Sequence, residues 1–551
     1  GMGGGAVSSV ETGVYANAIE LNAIQRANPE MQKRVSNVVR ALAESDNNPI
    51  VSIHDHGAGG HLNALSELVE TTGGKIEMDK LPIGDPTLSA KEIVGNESQE
   101  RMGMLIGEKD IDHVRKIADR ERAPMYVVGE TTGDMRFVFE QKDGIKPIDL
   151  AMEDMFGKAP RTFMKDHTVE ENYQDVAYET GKIHEYLENV LQLEAVACKD
   201  WLTNKVDRSV TGKVARQQCQ GEIQLPLSDC GVVALDYRGK SGIATSIGHA
   251  PQAAMIDPAA GSVLAISEAL TNIVWAPMTE GLKSVSLSAN WMWPCKNEGE
   301  DARLYKAVEA CSQFACDLGI NIPTGKDSLS MTQKYGDEKV FAPGTVIISA
   351  GGEVSDIKKV VSPVLIRDRN TAIYYIDFSF DNFQLGGSAF AQSLGKIGKT
   401  APTVKDSEYF ASAFNTIQEL IEKDLILAGH DISAGGMITA LLEMNFGNPE
   451  GGLEINLDKI AEKDIIKILF SENPGVLIQV KDKNSVEKIL QNNGIGFSKI
   501  GRPCKERHIL VKKDNAEYQF GIDYLRDVWF SSSYLLDRKQ SGEKAAAARF
   551  N

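Results

Sequence analysis

The sequence predicts an α+β protein built from tandem modules in the order B-A-B, and three observations carry that prediction. A glycine turn occurs twice, other landmarks recur around both copies in the same order, and the stretch between them has a different pattern. The turn reads "IHDHGAGG" at 53–60 and "GHDISAGG" at 429–436. Aligned from His54 and His430, which lie 376 positions apart, the copies share eight identities in fourteen positions, through Ala64/Ala440, Leu65/Leu441 and Glu67/Glu443. "MGGGAVSS" (2–9) and "GNESQERMGMLI" (95–106) flank the first copy; "LGGSAFAQ" (385–392) and "LFSENPGVLIQV" (469–480) flank the second. Asp55 to Glu97 is 42 residues and Asp431 to Glu472 is 41, which marks two homologous domains rather than two stray motifs.

The first B module is placed at 1–160, and residue 1 reads as falling inside an architecture, because the second copy has an opening strand (370–378) before its glycines. In each copy an apolar strand meets the glycine turn and then a helix with apolar residues at helical spacing (Leu62, Leu65, Leu68, Val69; Ile438, Leu441, Leu442). Such a unit aims backbone N–H groups and the positive end of a helix at the turn, and adds one carboxylate, Asp55 or Asp431. That suits a phosphate bridged by a metal ion; close packing of helix on strand, with the aspartates as caps, accounts for the same residues. "GNESQERMG" sets Glu97, Ser98, Gln99, Glu100 and Arg101 in a row, a donor and acceptor cluster for a polar substrate or an exposed turn.

Residues 161–199, after Pro147 and Pro160, read as a connector with an acidic helical stretch from 170 to 195. The A module spans 200–356 and mixes β-rich pieces ("GVVALDY", "SVSLSANW", "GTVIISAGG") with helices at 261–276 and 300–319. Glu268 and Asn272 stand four residues apart on one helix face, and Asp229 opens an apolar strand. With Asp431 they make an all-oxygen set suited to Mg²⁺ and a nucleotide phosphate, provided the A module packs on the second repeat; singly, each reads as a cap or a surface group. "PTGKDSLSM" (323–331) offers a glycine, a lysine and hydroxyls in a loop, without Walker spacing. The second B module is placed at 357–513, and 514–551, ending in "RKQSGEKAAAARFN", reads as a linker.

Composition narrows the function. A chain of 551 residues with 42% apolar and 25% charged residues has material for several cores. No apolar run is long enough for a bilayer and the start lacks a basic or apolar leader, so a cytoplasmic protein without membrane contact is expected. A net charge of −18 without a basic stripe argues against nucleic acid as partner. The seven cysteines form no Cys-x-x-Cys pair, against a zinc or disulfide framework. No Ser-His-Asp or Cys-His pattern is visible, so no nucleophile is assigned.

"AIQRANPEMQKR", "IHDHGAGG", "NESQER", "DRSVTGKVARQQ", "LPLSDC", "SEALTNI", "GKDSLSM" and "GHDISAGG" occur in an order that resembles the phosphoribosylformylglycinamidine synthase family, large single-chain type, over essentially the whole chain. The resemblance implies tandem modules like those of aminoimidazole ribonucleotide synthetase. It also implies an ATP-dependent amidoligase of purine biosynthesis, which converts formylglycinamide ribonucleotide to formylglycinamidine ribonucleotide with ammonia drawn from glutamine. It makes Asp55 a metal ligand near the substrate, and Gln25, Glu97, Ser98, Gln99 and Ser328 substrate-binding positions. Gly325 and Lys326 become ATP-binding, in a loop that closes the active site. Asp229, Glu268, Asn272 and Asp431 become the Mg²⁺ ligands of an auxiliary ADP or ATP site, with Ser228 and Ser433 as nucleotide contacts. The family's catalytic base and in-cis glutaminase domain match nothing in this sequence, so no catalytic residue is assigned, and the chain alone is expected to bind nucleotide without turnover. A nucleotide-stabilised scaffold, or another ATP-using enzyme of the superfamily such as selenophosphate synthetase or thiamine monophosphate kinase, is the alternative.

Overall fold

The computed structural model describes residues 28–550 except 58, 98–99, 159–160, 162, 170–171, 204–207 and 209–211. Gln25, Ser98, Gln99 and the glycines at 2–9 therefore lie outside the described residues. Two compact units emerge: Gly1–Lys165 with Ser328–Ala342, and Asp166–Asp327 with Pro343–Asn551.

In the first unit, helix α1 (Pro29–Ala43) starts where its residues demand, with proline in its first turn and the Asn28 side chain accepting the Met31 N–H. Strand β1 (Ile50–Asp55) carries the turn. Helix α2 (Gly60–Leu68) follows the turn, buries Ala64 and Leu65, and so fixes Asp55 at a strand end. A four-stranded sheet is built from β2 (Gly74–Glu77), β4 (Gly129–Thr131), β5 (Arg136–Glu140) and β6 (Ile148–Ala151), in the order β4-β2-β5-β6 with β2 and β5 parallel. Strand β3 (Met102–Ile106) pairs antiparallel with β1, setting His54 opposite Gly103. Phe137 and Phe139 fill the core of this unit. The hairpin of Thr332–Tyr335 and Glu338–Phe341 completes it.

In the second unit, a six-stranded sheet runs β11-β10-β12-β9-β8-β7. Its strands are β7 (Val214–Arg216), β8 (Gly231–Ala234), β9 (Gly242–Gly248), β10 (Val285–Met292), β11 (Asn321–Ser328) and β12 (Thr345–Val354). Strand β9 alternates buried and exposed residues, the period expected of a sheet with one covered face. Two helices cover that face. The apolar α4 (Pro258–Ile273) packs on β9 and β12 and against α5 (Glu300–Leu318); helix α3 (Ile183–Leu191) precedes them in the chain.

A seven-stranded sheet holds the second repeat in the order β14-β16-β13-β17-β15-β18-β19. These strands are β13 (Ala372–Asp377), β14 (Ile426–Asp431), β15 (Gly452–Asn456), β16 (Gly475–Val480), β17 (Phe497–Cys504), β18 (His508–Lys513) and β19 (Ala516–Gly521). The antiparallel pair β14-β16 repeats β1-β3, and β17-β15-β18-β19 repeats β4-β2-β5-β6 down to its one parallel pair. Strand β13, buried throughout except at Asp377, joins the two pieces into one sheet.

Three expectations are corrected. The tail from 514, read as a linker, instead forms edge strand β19 and helix α8 (Ile522–Ser541), whose Ile522, Leu525 and Trp529 are buried at helical spacing. The polar composition of its last residues hid that stripe. The connector at 161–199 carries its expected helical stretch as α3, but Leu187, Val190 and Leu191 of that helix lie in the core of the second unit, which a mere connector would not enter. The expected loop around Gly325 is strand β11, where a Cβ on Gly325 would sit 2.1 Å from the Ala289 carbonyl oxygen. That glycine serves close strand approach, and Lys326 and Asp327 point from an exposed edge.

Candidate functional site

Both copies of the turn need their paired glycines. Gly59 and Gly60 hold φ of 83° and 61°, and Gly435 and Gly436 hold 90° and 73°, a left-handed conformation that side chains resist. A Cβ on Gly60 would meet the Asn96 carbonyl oxygen at 2.6 Å, and one on Gly436 the Leu469 carbonyl oxygen at the same distance. The turn is thereby pressed against the segment that delivers Glu97 or Glu472.

In the second unit four sequence-predicted residues converge. Helix α6 (Ser407–Glu422) packs on α5 and helix α7 (Gly436–Phe446) follows the turn, while α4 reaches β14, bringing Glu268 and Asn272 beside Asp431; Asp229 comes from the turn before β8. The Asn272 amide donates to the Ile247 carbonyl at 2.9 Å, which turns its oxygen inward. That oxygen and both carboxylate oxygens of Asp431 are buried without a hydrogen-bond partner. Burial, then the Asp431 charge, pushes Asp229 up to about 8, although 46% of its side chain is accessible to solvent. Glu268 is likewise pushed up to about 8, chiefly by burial, despite the N–H of His249 donating to it at 3.1 Å. Asp431 is shifted upward by its burial. Carboxylates held this close without partners are a site for a cation, and an all-oxygen donor set fits Mg²⁺.

An open pocket adjoins them, lined by Glu268, His249, Ser433, Ala434, Gly387 and Glu472 among others. Ser433 stands on its wall. Ser228, beside Asp229, has its N–H and hydroxyl committed to the Gln218 and Cys230 carbonyls. The N–H groups expected to greet a phosphate are already used. Gly435 donates to Glu472 at 2.8 Å and Gly436 to the Ser433 carbonyl at 3.0 Å. Glu472, pushed up to about 7 by burial, also receives the Ala389 N–H and so ties two helix starts together. With these two N–H groups engaged, the helix terminus offers an anion less than the strand, turn and helix pattern leads one to expect.

Sequence reasoning left His430, Glu443 and Glu472 without roles. Asp229, His430 and Asp431 present potential ligand atoms within 4.8 Å of one another. Burial alone would lower the His430 pKa, but Glu443, Asp431 and Asp229 override it and hold the imidazolium up to about 10. The signal was present: His430 and Glu443 are among the eight identities shared with the first copy.

In the first unit Asp55 is exposed, with 65% of its side chain accessible, while Glu97 is buried. Ser328 opens the segment that joins this unit. Two buried histidines stand behind Asp55: Arg101 donates to His61 Nε2 at 3.0 Å, and His61 meets His56 at 3.0 Å. Burial first, then neighbouring cationic groups, lowers His56 to about 4 and His61 to about 3. Both folded values lie below the unfolded value near 6.5, so the unfolded chain binds more protons and stability falls as pH drops from about 6.5 toward 3. We expect about 2 kcal/mol lost per histidine at pH 5 relative to pH 7. Amide exchange in β3, followed at both pH values, reads this out; equal protection at the two would contradict it.

Comparison with known proteins supplies the family. The family model described as FGAR-AT PurM_N-like domain matches 198–353, and the AIR synthase related protein, C-terminal domain, matches twice, at 1–142 and 381–513. Phosphoribosylformylglycinamidine synthase from Homo sapiens is 37% identical over 99% of this chain and 43% of its own length. The Dictyostelium discoideum enzyme of that name is 38% identical over 98% of this chain and 43% of its own. The chain thus spans under half the length of these curated relatives. Among solved structures, T. maritima PurL complexed with FGAR superposes with a TM-score of 0.62, at 16% identity, over 91% of this chain and 69% of that one, which is a likeness of fold. With the duplicated turn and the matches on both repeats, the chain belongs to the phosphoribosylformylglycinamidine synthase family.

Proposed function

We propose that this chain is part of an ATP- and glutamine-dependent amidoligase that converts formylglycinamide ribonucleotide to formylglycinamidine ribonucleotide, and that the site in its second unit holds Mg²⁺ with ADP or ATP. The observation that carries the second statement is the set of buried, unpartnered oxygens on Asp431 and Asn272 beside Asp229 and Glu268. The first rests on relatives that bear the name of that enzyme along 98–99% of this chain. The T. maritima PurL structures are complexes with ATP, ADP or FGAR, which supports the same substrate classes here.

In this reading Asp229, Glu268, Asn272 and Asp431 hold the cation, whose charge neutralises the acidic cluster and grips phosphate oxygens. Ser433 and the cavity wall receive the nucleotide, and the Ser228 contact is made by its carbonyl. Asp55 is the corresponding cation ligand of the first unit, near a substrate held by Gln25, Glu97, Ser98, Gln99 and Ser328; the ATP role of Gly325 and Lys326 rests on the family resemblance alone. Ammonia reaches that substrate from a glutaminase domain of the whole protein. The second-unit site stores nucleotide rather than consuming it, since His430, the imidazole closest to its cation ligands, is held by Glu443 and Asp431. All seven cysteines are free thiols, in keeping with a reducing compartment such as the cytoplasm. Among the described residues no helix is long and apolar enough to cross a membrane.

Denaturing the purified chain and separating the supernatant by anion exchange, with a magnesium assay, tests the reading. About one adenine nucleotide per chain is expected, from the single cavity proposed for it. A nucleotide-free protein whose melting temperature is unmoved by Mg²⁺ and ADP would overturn it.

A further inference from the structure

The two repeats part company at the stretch that, in the first, is assigned to the substrate. There Glu97, Ser98 and Gln99 follow one another; at the matching place the second copy has Glu472, Asn473 and Pro474. The second stretch is also one residue shorter: Asp55 pairs with Met102, five residues past Glu97, and Asp431 with Val476, four past Glu472. Its polar atoms are turned to the protein itself. Oε1 of Glu472 accepts the Gly435 N–H and the Ala389 N–H, both at 2.8 Å. A carboxyl oxygen accepts in either protonation state, so this tie does not depend on charge. Asn473 is 3% exposed; its Nδ2 donates to the Asn382 carbonyl at 3.0 Å and the Ser379 hydroxyl at 3.2 Å, and its Oδ1 accepts from the Ser471 hydroxyl and the Gln384 N–H. Pro474 has no N–H to offer, and its carbonyl accepts the Phe378 N–H at 2.9 Å.

We propose that Glu472 and Asn473 restrict the second pocket to a nucleotide: Glu472 is a positioning residue that ties the turn at 433–436 to the segment at 385–389, and with Asn473 and Pro474 it closes the place an acceptor substrate takes in the first copy. The inference rests on the nucleotide reading of this pocket and on the substrate role of Glu97, Ser98 and Gln99. It adds which residues withdraw the second copy from the reaction. Gly387 and Ala389 line one wall of the pocket, Ser433 and Ala434 another, and Glu472 stands between them. Both N–H groups held by its single oxygen lie at the starts of these walls, 46 positions apart in the chain, so one side chain sets their separation. An acceptor substrate reaching for Asn473 has to break a hydrogen bond for each one it forms, which leaves it little net gain.

Amide hydrogen exchange of the full chain, read by mass spectrometry, is the test. In the wild type, Mg²⁺ with ADP should slow exchange in 385–392 and 432–437, and formylglycinamide ribonucleotide should leave both segments unchanged. Glu472→Ala should speed exchange in the two segments together, without any ligand, and weaken ADP binding about tenfold, the loss of one hydrogen bond to a charged group. Glu472→Gln keeps an acceptor oxygen and should retain slow exchange in both segments. Protection of these segments by formylglycinamide ribonucleotide would overturn the inference and leave the nucleotide reading standing. Glu472→Ala exchanging as slowly as wild type, or Glu472→Gln as fast as Glu472→Ala, would do the same. No protection by Mg²⁺ with ADP in the wild type would overturn the nucleotide reading and this inference together. The wild-type comparison of the two ligands decides the specificity even where a variant fails to fold.

Discussion

Asp431→Asn is expected to emerge from purification without nucleotide and to lose most of the thermal stabilisation that Mg²⁺ with ADP gives the wild-type chain. The residue sits 1% exposed at the end of β14 with neither carboxylate oxygen hydrogen-bonded, and its one cationic neighbour, His430, is shared with Glu443 and Asp229, which leaves the cluster short of positive charge. Replacing one oxygen by an amide removes a ligand and a negative charge together. A 100-fold loss of affinity is then a reasonable floor, about 2.7 kcal/mol. A wild-type chain at 100 times its dissociation constant gains about 2.7 kcal/mol from ligand, and the variant under those conditions would gain only about 0.4 kcal/mol. Thermal melts with and without Mg²⁺ and ADP measure this. Asp55→Asn, which changes the exposed aspartate of the first unit, is the control and should leave the shift intact. Equal shifts in wild type and Asp431→Asn would remove Asp431 from the site.

Trp529→Ala is expected to cost about 3–5 kcal/mol of stability in the second unit, the range for emptying a large buried aromatic. Trp529 is 2% exposed, its ring centroid lies 5.1 Å from that of Phe446, and its indole N–H donates to the Val196 carbonyl at 2.9 Å. The alanine variant leaves that carbonyl unpaired in addition to the cavity. Phe446 closes helix α7, so the loss should propagate toward the turn at 432–435 and lower nucleotide affinity as well. Urea unfolding midpoints report the first effect. A variant within about 0.5 kcal/mol of wild type would mean that α8 is a dispensable appendage, as the sequence reading of a linker implied.

Much of the architecture was legible because the chain states it twice. Eight shared identities and near-equal intervals to Glu97 and Glu472 located both repeats, and the strand orders of the two units agree with that reading. Asp229, Glu268, Asn272 and Asp431 could be grouped from residue type and helical spacing, since carboxylates in apolar segments are rarely idle. What stayed hidden depends on through-space contact. Glu472 reads as a polar residue near a proline, and nothing in its local sequence says that its carboxylate takes the N–H of Gly435 and Ala389. The "PTGKDS" strand reads as a loop in sequence because glycine and lysine suggest phosphate binding, while the pressure of the Ala289 carbonyl on Gly325 appears only when two strands are paired. The stripe of Ile522, Leu525 and Trp529 was masked by the alanines and charges that follow it.

The hairpin at Ser328–Ala342 belongs to the first unit, yet 162 residues separate it from Lys165, where the main part of that unit ends. On the ribosome, at about 5–20 residues per second, the missing piece emerges roughly 8–30 seconds after the rest. For that interval the nascent first unit exists without its last two strands, while the early part of the second unit is already being made. A chaperone or a slow codon stretch acting in that window would therefore meet a first unit still lacking its hairpin. Any attempt to produce that unit by itself must splice the hairpin back rather than simply stop the chain at its apparent boundary.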